Sequence, residues 1–338
     1  MDISLYFHII LFYKMKNNNE FSFRTIEEAR ERIKPYIPET PLAESMYLST
    51  GGSKYYFKLE CEQAVRSFKI RGALNKMLTL NEEEKERGVT AISSGNHGIS
   101  VSYAAKLLGI KTAVIIVPET TPKIKCDKIK YYGGDIHLLG KNYDEAHILG
   151  MEYSKSHKLT FIDGYYNDPL VYGGQGTVGM EILKQNPNID TILAPIGGGG
   201  LLTGVAVAAK HINPKIRVIG IQTSACPAMI KSYEDNVFYE SYPNEESICE
   251  SLIGGIGKLS FEMAKDYVDK FVMVEEESIK KAIAFMIGKE MRIVEPGGAV
   301  CVAAIMDFAK DIGGKEIALI ISGGNINKYL MIDIINNY

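Results

Sequence analysis

From residue 88 onward, short β-branched apolar runs alternate with longer amphipathic stretches, and this alternation constrains the fold more than any other feature. The candidate strands are Val89–Ser93, Thr112–Val117, Thr191–Ile196, Ile216–Gln222, Phe271–Val274 and Ile317–Ile321. The candidate helices are His97–Leu108, Pro122–Tyr132, Tyr143–Ser156, Gly174–Gln185, Leu201–His211, Ser278–Lys289 and Ala299–Lys310. Strands that alternate with helices of about 10–15 residues are typical of βαβ units. The pattern therefore predicts an α/β protein with parallel sheets that helices cover on both faces.

The composition excludes several classes of protein. The 338 residues suggest about two domains at roughly 150 residues each. Hydrophobic residues make up 46% and charged residues 23%, which are ordinary values for a globular chain and argue against disorder. With 38 basic and 41 acidic residues the net charge is −3, so nothing indicates a nucleic-acid partner. A small ligand at the carboxyl ends of the strands is the better expectation.

The cysteines and the N-terminus indicate a cytoplasmic protein without a membrane partner. The five cysteines are odd in number and none has CxxC spacing, which argues against a disulfide framework or a zinc ribbon. The apolar run from Ile3 to Tyr13 is shorter than the ~20 residues of a membrane span and lacks the basic start of a signal peptide. We expect residues 1–14 to be a dispensable extension before Met15.

Glycine-bearing segments follow four of the predicted strands, and Gly197–Gly200 is the most informative of them. It opens a helix, and successive glycines let backbone N–H groups approach an anion. No Gly-Lys-Ser/Thr follows, which excludes a P-loop, and the next strand ends in Gln222 rather than in the acid of a dinucleotide site. The loop predicts a smaller phosphorylated cofactor; the alternative is a tight turn without a ligand.

Lys69 lies beside apolar neighbours at an apparent helix start, in the segment Ser67–Asn75. Most lysines are solvated surface residues. A partly desolvated lysine, however, can have its pKa lowered enough to act as a Schiff-base nucleophile.

Six motifs, taken in order, resemble those of the fold-type II pyridoxal-phosphate enzymes, and most of all the serine/threonine dehydratase and serine racemase family. They are Ser67-Phe-Lys-Ile-Arg-Gly, Ser93-Ser-Gly-Asn-His-Gly, Gly174-Gln-Gly-Thr, Gly197–Gly200, Glu295-Pro-Gly-Gly-Ala and Ser322-Gly-Gly-Asn. The resemblance runs from about Thr40 to Asn325. It implies two parallel-sheet domains similar to the tryptophan synthase β-subunit, with pyridoxal 5′-phosphate in the cleft. Residues 15–81 and 166–338 would form the large cofactor-binding domain, and residues 82–165 the small one.

The resemblance also implies a role for individual residues. Lys69 would carry the cofactor and act as the base at the substrate Cα, and Asn96 would hydrogen-bond the cofactor's 3′ oxygen. Ser322 would face the pyridine nitrogen, and Phe68 would support the ring. The 5′-phosphate would be held by Gly197, Gly198, Gly199, Gly200 and Leu201. The substrate carboxylate would be held by Ser93, Ser94, Gly95, Asn96 and His97.

The implied activity is that of an ammonia-lyase that converts L-threonine, L-serine or a related β-hydroxy amino acid into a 2-oxo acid and ammonia, in a homodimer or homotetramer. A racemase is the main alternative, because the Ser94 hydroxyl would serve as a second acid/base on the face opposite Lys69. A β-replacing or threonine synthase-type enzyme and a non-catalytic cofactor-binding protein remain further alternatives.

The sequence departs from the family pattern in three places. Gln222 and Ala228 stand where relatives carry the Glu and Asp of a cation site, so we expect no metal, because a hard divalent ion requires those carboxylates. The segment Cys249–Ser251 replaces the usual Ala-Asp-Gly, which leaves side-chain specificity open. Val65 and Arg66 replace the usual Thr-Gly, either as a local change or as a new charge at the mouth of the pocket.

Overall fold

The computed structural model describes residues 21–49 and 52–338, so the predicted extension, residues 1–14, lies outside the described residues. The chain forms an α/β fold with two largely parallel sheets, which confirms the predicted class. The strands are β1 (Leu42–Glu44), β2 (Lys54–Leu59), β3 (Val89–Ile92), β4 (Ala113–Val117), β5 (Asp135–Leu138), β6 (Thr160–Phe161), β7 (Thr191–Pro195), β8 (Arg217–Thr223), β9 (Lys270–Val274) and β10 (Glu316–Ile321).

The described helices surround these strands. They are α1 (Phe23–Ile33), α2 (Lys69–Leu78), α3 (Glu82–Arg87), α4 (Asn96–Leu108), α5 (Lys123–Tyr131), α6 (Tyr143–Ser156), α7 (Pro169–Gln185), α8 (Gly200–Ile212), α9 (Ala228–Glu234), α10 (Lys258–Tyr267), α11 (Glu276–Gly288), α12 (Pro296–Ile312) and α13 (Lys328–Asn337). Among the described residues no helix combines the length and the apolar character that a bilayer crossing requires.

The larger sheet has six strands in the order β1-β2-β10-β7-β8-β9. Its neighbours pair in parallel except for β1, which runs antiparallel to β2. Every residue of the central strand β7 is buried, as expected for a strand that helices cover on both faces. The smaller sheet has four parallel strands in the order β5-β4-β3-β6, and β4 is likewise buried throughout.

Every strand predicted from the sequence is present, and its ends agree to within one residue. Two predicted helix starts are wrong. Helix α7 begins at Pro169 rather than Gly174, because the Asp168 carboxylate caps the Leu170 N–H at 2.9 Å and proline suits the first turn. Helix α12 begins at Pro296 rather than Ala299, again because proline is favoured in the first turn of a helix.

The carboxyl ends of strands from both sheets lead into the segments that the sequence singled out. The segment with Lys69 follows β2, the tetraglycine loop (Gly197–Gly200) follows β7, and Ser322 follows β10, which lies between β2 and β7 in the sheet. The loop with Asn96 follows β3 of the smaller sheet, beside β6. Parallel sheets place ligands at this edge. The proposed domain boundaries at residues 81/82 and 165/166 stay a prediction.

Candidate active site

Lys69 begins helix α2 and directs its amine to the other sheet. Its Nζ donates to the Gly164 carbonyl, 2.8 Å away on the loop after β6. The same Nζ lies 5.5 Å from the centroid of the Phe68 ring and 5.9 Å from that of Tyr165. Loss of water on burial lowers the pKa of Lys69 to about 8, and the charge of Asp163 partly opposes the shift. About a tenth of the amine is therefore neutral and nucleophilic at pH 7.

The tetraglycine loop Gly197–Gly200 adopts a backbone that side chains would not allow. Gly199 has φ +91°, in the left-handed region, and a Cβ on Gly198 would overlap the ring of Tyr165. The loop runs directly into helix α8, where Leu201 is buried in the first turn. The free N–H groups of a helix start favour an anion, so this loop suits a phosphate group.

Asn96 begins helix α4 and is held by groups from the larger sheet. Its Nδ2 donates to Oε1 of Glu295 at 2.7 Å, and its Oδ1 accepts from the Asn325 side-chain amide at 2.6 Å. The other Glu295 oxygen accepts the Asn325 backbone N–H at 3.0 Å. Burial raises the pKa of Glu295, although these hydrogen bonds and Lys128 oppose the shift. The Asn96 amide is therefore fixed in orientation.

Ser322 is buried at the end of β10, with 3% of its surface exposed. Its hydroxyl donates to the Gly297 carbonyl at 3.2 Å, and its backbone carbonyl accepts the N–H of Phe68 at 3.0 Å. This contact joins β10 to the residue before Lys69. Phe68 itself is half-buried and packs against the core beneath the tetraglycine loop.

In the loop from Ser93 to His97, the side chains of Ser93 and His97 are hydrogen-bonded within the described residues and that of Ser94 is not. The Ser93 hydroxyl accepts the Gly95 N–H at 3.2 Å, whereas no hydrogen bond within the described residues occupies the hydroxyl of the half-buried Ser94. The Nε2 of His97 is 2.8 Å from the Ile162 carbonyl, which assigns the proton to that nitrogen. Burial, and then the charge of Lys69, lowers the pKa of His97 to about 4. His97 is therefore neutral at physiological pH.

Sequence reasoning did not assign roles to several residues of this site. Asp163, Gly164 and Tyr165 surround Lys69, and their only signal in the sequence was an Asp-Gly pair after the short, mostly apolar run Leu159–Ile162. Glu295 and Asn325 belong to two of the six family motifs, but nothing in the sequence indicated that they would contact Asn96. These contacts join segments about 200 residues apart, and residue patterns do not specify such distances.

Gln222, where the resemblance led us to expect the loss of a cation site, caps a short helix. Its Oε1 accepts the N–H groups of Met229 and Ile230, each at 3.1 Å, and so caps the short helix α9 that begins at Ala228. Its buried Nε2 has no hydrogen-bond partner within the described part of the chain. The described residues contain no group of three side chains suited to bind a metal ion. The expectation of a metal-independent enzyme stays a prediction.

Two other departures from the family pattern take defined positions. Arg66 has φ +57° and donates to the carbonyls of Gly324 and Ile293 at 3.3 and 3.2 Å. Its guanidinium therefore ties the Lys69 segment to the segments around Ser322 and Glu295. Glu250 forms a 2.5 Å ion pair with Lys125 on helix α5 of the smaller sheet.

Comparison with known proteins identifies close relatives of the chain. The sequence model of a family described as "Pyridoxal-phosphate dependent enzyme" matches residues 33–323. The L-threonine ammonia-lyase of Thermotoga maritima is 40% identical over 314 residues, which are 92% of this chain and 77% of that protein. Maize serine racemase superposes with a TM-score of 0.86 at 33% identity, over 93% of this chain and 96% of that one. Threonine deaminase isoform 2 of Solanum lycopersicum superposes with a TM-score of 0.87 at 32% identity, over 93% of this chain and 92% of that one.

Proposed function

The chain belongs to the family of pyridoxal-phosphate dependent enzymes, and on that premise we propose that it is an ammonia-lyase acting on L-threonine, L-serine or a related β-hydroxy amino acid. Its cofactor is pyridoxal 5′-phosphate, and the products are a 2-oxo acid and ammonia. The observation that carries the proposal is the meeting of the Lys69 amine, the tetraglycine loop and Ser322 at the carboxyl ends of strands. The names of the relatives at 39–40% identity, threonine ammonia-lyase and threonine dehydratase, support the substrate class.

The residues present fit this cofactor. The glycine backbone and the start of helix α8 suit its phosphate, and a Cβ at Gly198 or Gly199 would clash with the neighbouring side chains. The partly deprotonated amine of Lys69 suits its aldehyde. The Asn96 amide, fixed by Glu295, offers a hydrogen bond to the phenolic oxygen, and Phe68 supplies an apolar surface beside Lys69.

Lys69 and Ser322 are the side chains that would favour elimination over transamination. Pyridoxal phosphate, when bound, acidifies the Cα–H bond of an attached amino acid by delocalising the charge that develops. Lys69, with its pKa lowered to about 8, is suited to take that Cα proton near neutral pH. Ser322 would offer the pyridine nitrogen a neutral hydroxyl instead of a carboxylate, and such a partner would favour prompt departure of the β-hydroxyl over transamination.

The loop from Ser93 to His97 is suited to the substrate carboxylate. It precedes and opens helix α4, where unpaired backbone N–H groups and the helix dipole favour a negative charge. His97 is neutral and already bonded to Ile162, so its side chain positions the loop rather than supplying a charge.

Incubation with L-threonine, L-serine and 3-hydroxyaspartate, coupled to detection of 2-oxo acids, tests this proposal. We expect the corresponding 2-oxo acid and one equivalent of ammonia from at least one of the three, and no product from Lys69→Ala. Cofactor binding without release of ammonia from any of them would contradict the lyase assignment.

Racemisation is a second candidate because the Ser94 hydroxyl is not occupied by a hydrogen bond within the described residues. As an acid/base on the face opposite Lys69, it would exchange the Cα proton from that side. We expect Ser94→Ala to abolish formation of the D-isomer while much of the elimination from the L-isomer remains. If the wild-type protein makes no D-isomer, and Ser94→Ala leaves elimination unchanged, the racemase alternative fails.

We further propose a homodimer or homotetramer in the cytoplasm. A second copy would cover the patch formed by Met46, Tyr47 and Met291, where the two methionines are 77% and 83% exposed. The hydrogen bond between Ser45 and Glu290 brings the parts of this patch together. Light scattering would show the mass of a single chain if the proposal is wrong.

The proposed cytoplasmic location rests on the five cysteines, whose odd number and spacing argue against a disulfide framework.

A further inference from the structure

Lys128, on helix α5 beside the smaller sheet, begins a chain of side-chain hydrogen bonds that reaches Asn96. Its Nζ donates to Oδ1 of Asn325 at 2.5 Å, and Nδ2 of Asn325 donates to Oδ1 of Asn96 at 2.6 Å. Nδ2 of Asn96 donates one hydrogen to Glu295 at 2.7 Å, and its second hydrogen has no acceptor among the described residues. The chain therefore runs from a half-buried cation to a free donor in the candidate site.

The direction of this chain depends on its two ends. An asparagine amide has two orientations of nearly the same shape, which exchange an acceptor oxygen for a donor nitrogen. A lysine ammonium group only donates, so Lys128 holds the oxygen of Asn325 toward itself and the nitrogen toward Asn96. The Val65 carbonyl accepts from the same nitrogen at 3.0 Å and favours the same orientation. The nitrogen of Asn96 is thus left to face Glu295 and the cofactor.

Glu295, at the other end, does not secure this direction by itself. Burial raises the pKa of its carboxyl group, and a protonated carboxyl group is able to donate to an amide oxygen. The hydrogen bond from Lys128 to Asn325 is charge-assisted, which makes it stronger than the one to the Val65 carbonyl. Hydrogen bonds in a chain also polarise one another where water is excluded. The ammonium group therefore makes the free N–H of Asn96 a better donor.

We propose that Lys128 is a positioning residue for the cofactor, which orients and polarises the Asn96 amide through Asn325. The inference rests on the proposed place of Asn96 beside the phenolic oxygen of the cofactor. A stronger donor at that oxygen favours its ionised form. Loss of Lys128 should therefore leave the phenolic oxygen protonated more often and weaken binding of the cofactor.

The absorption spectrum of the holoenzyme, recorded without substrate, tests this role. The ionised phenolic oxygen gives the band near about 410–420 nm, and its protonation moves absorbance to shorter wavelength. In Lys128→Met we expect the ratio of the long- to the short-wavelength band to fall about fivefold, the factor of one typical hydrogen bond, and the Kd for pyridoxal phosphate to rise by a similar factor. Lys128→Arg keeps the charge and the donors and should restore both values.

Lys125, on the same helix, supplies the matched control. It also reaches a segment of the larger sheet, where it pairs with Glu250 at 2.5 Å, but no hydrogen bond within the described residues joins it to Asn325 or Asn96. Lys125→Met should therefore keep the wild-type band ratio. In the Asn325→Leu background, Lys128→Met should cause no further change, because Lys128 acts through that amide.

An unchanged band ratio in Lys128→Met would overturn the proposal. An equal fall in Lys125→Met would do the same, because both lysines would then only tie the two sheets together. An additive effect in the Asn325→Leu background would also contradict it.

Asn96→Ala separates failure of this proposal from failure of the proposed site. If Asn96→Ala lowers the band ratio and Lys128→Met does not, only the role of Lys128 is wrong. If Asn96→Ala leaves the ratio unchanged, Asn96 does not meet the phenolic oxygen, and both its assigned place and the role of Lys128 are wrong. The spectra need no amino-acid substrate, so they decide the matter even if the proposed lyase activity fails.

Discussion

The side-chain amide of Asn96 donates to the Glu295 carboxyl group at 2.7 Å, across the boundary between the two sheets. The residue proposed to meet the phenolic oxygen of the cofactor is thus oriented by a buried carboxyl group on the segment that starts helix α12. The same carboxyl group accepts the Asn325 N–H three residues after Ser322. The segment after β3 and the segment after β10 are therefore joined through the side chain of Glu295.

Removal of this carboxyl group should weaken both the fold and cofactor binding. Glu295→Ala leaves the Asn96 amide and the Asn325 N–H without their acceptor, which costs about 1–3 kcal/mol in the free energy of unfolding. Urea denaturation of the cofactor-free protein measures this loss. Glu295→Gln keeps one oxygen acceptor and should lose less. Equal stability of wild type and Glu295→Ala would show that the network contributes nothing.

Capture of the cofactor by the cofactor-free protein should accelerate as the pH rises. Only the neutral Lys69 amine attacks an aldehyde, and burial lowers the pKa of Lys69 to about 8. The rate should increase close to tenfold per pH unit below 8 and level off above it. Stopped-flow absorbance between about pH 6.5 and pH 9.5 measures this profile. A rate still rising tenfold per unit above pH 9 would show that the amine keeps the pKa of an ordinary lysine.

A buried ion cluster two residues after Lys69 should be essential for stability. Arg71 donates to both carboxylate oxygens of Glu60 and to both of Glu181, at 2.6 to 2.8 Å, and Lys58 donates to Glu181 at 2.6 Å. Arg71→Met leaves two buried carboxylates short of a partner and should cost about 3–5 kcal/mol by denaturant unfolding. The exposed Arg24 is the control, since Arg24→Met should change stability by about 0.5 kcal/mol or less.

Chelators should leave the activity within about twofold, because Gln222 and Ala228 lack the carboxylates that a hard divalent ion requires. Assay after treatment with chelator, and again with added magnesium or calcium, measures the effect. A tenfold activation by either ion would mean that other ligands form a cation site.

The sequence predicted the strands that are mostly apolar and missed β1, β2, β5 and β6, which carry charged residues or are very short. Strand β2 has a lysine at its fifth position, and this buried Lys58 donates to Glu181, to Gln185 and to the Thr40 carbonyl. Glu181 and Gln185 lie more than 120 residues further along the chain, so in the sequence the lysine looks like a surface residue. Strand β6 has two residues, too few to show a period.

The residues of the candidate site also divide into those that the sequence predicted and those that only the fold shows. Lys69, Asn96 and Ser322 lie in motifs that the chain shares with its family, and the resemblance implied their roles; the structure places all three just after the carboxyl ends of strands. Tyr165 has no such signal, because its importance comes from the packing of its ring on Gly198, a residue more than thirty positions away. Arg66 also could not be interpreted from the sequence alone, since only the fold shows that its charge binds backbone carbonyls.

The central claim is that Lys69 carries the cofactor, and borohydride reduction of the holoenzyme tests it most directly. Reduction fixes the cofactor covalently to the lysine that holds it, and peptide mapping by mass spectrometry locates the adduct. We expect the added mass on Lys69 alone, and no fixed cofactor in Lys69→Ala. An adduct on another lysine, or none in the wild-type protein, would contradict the account.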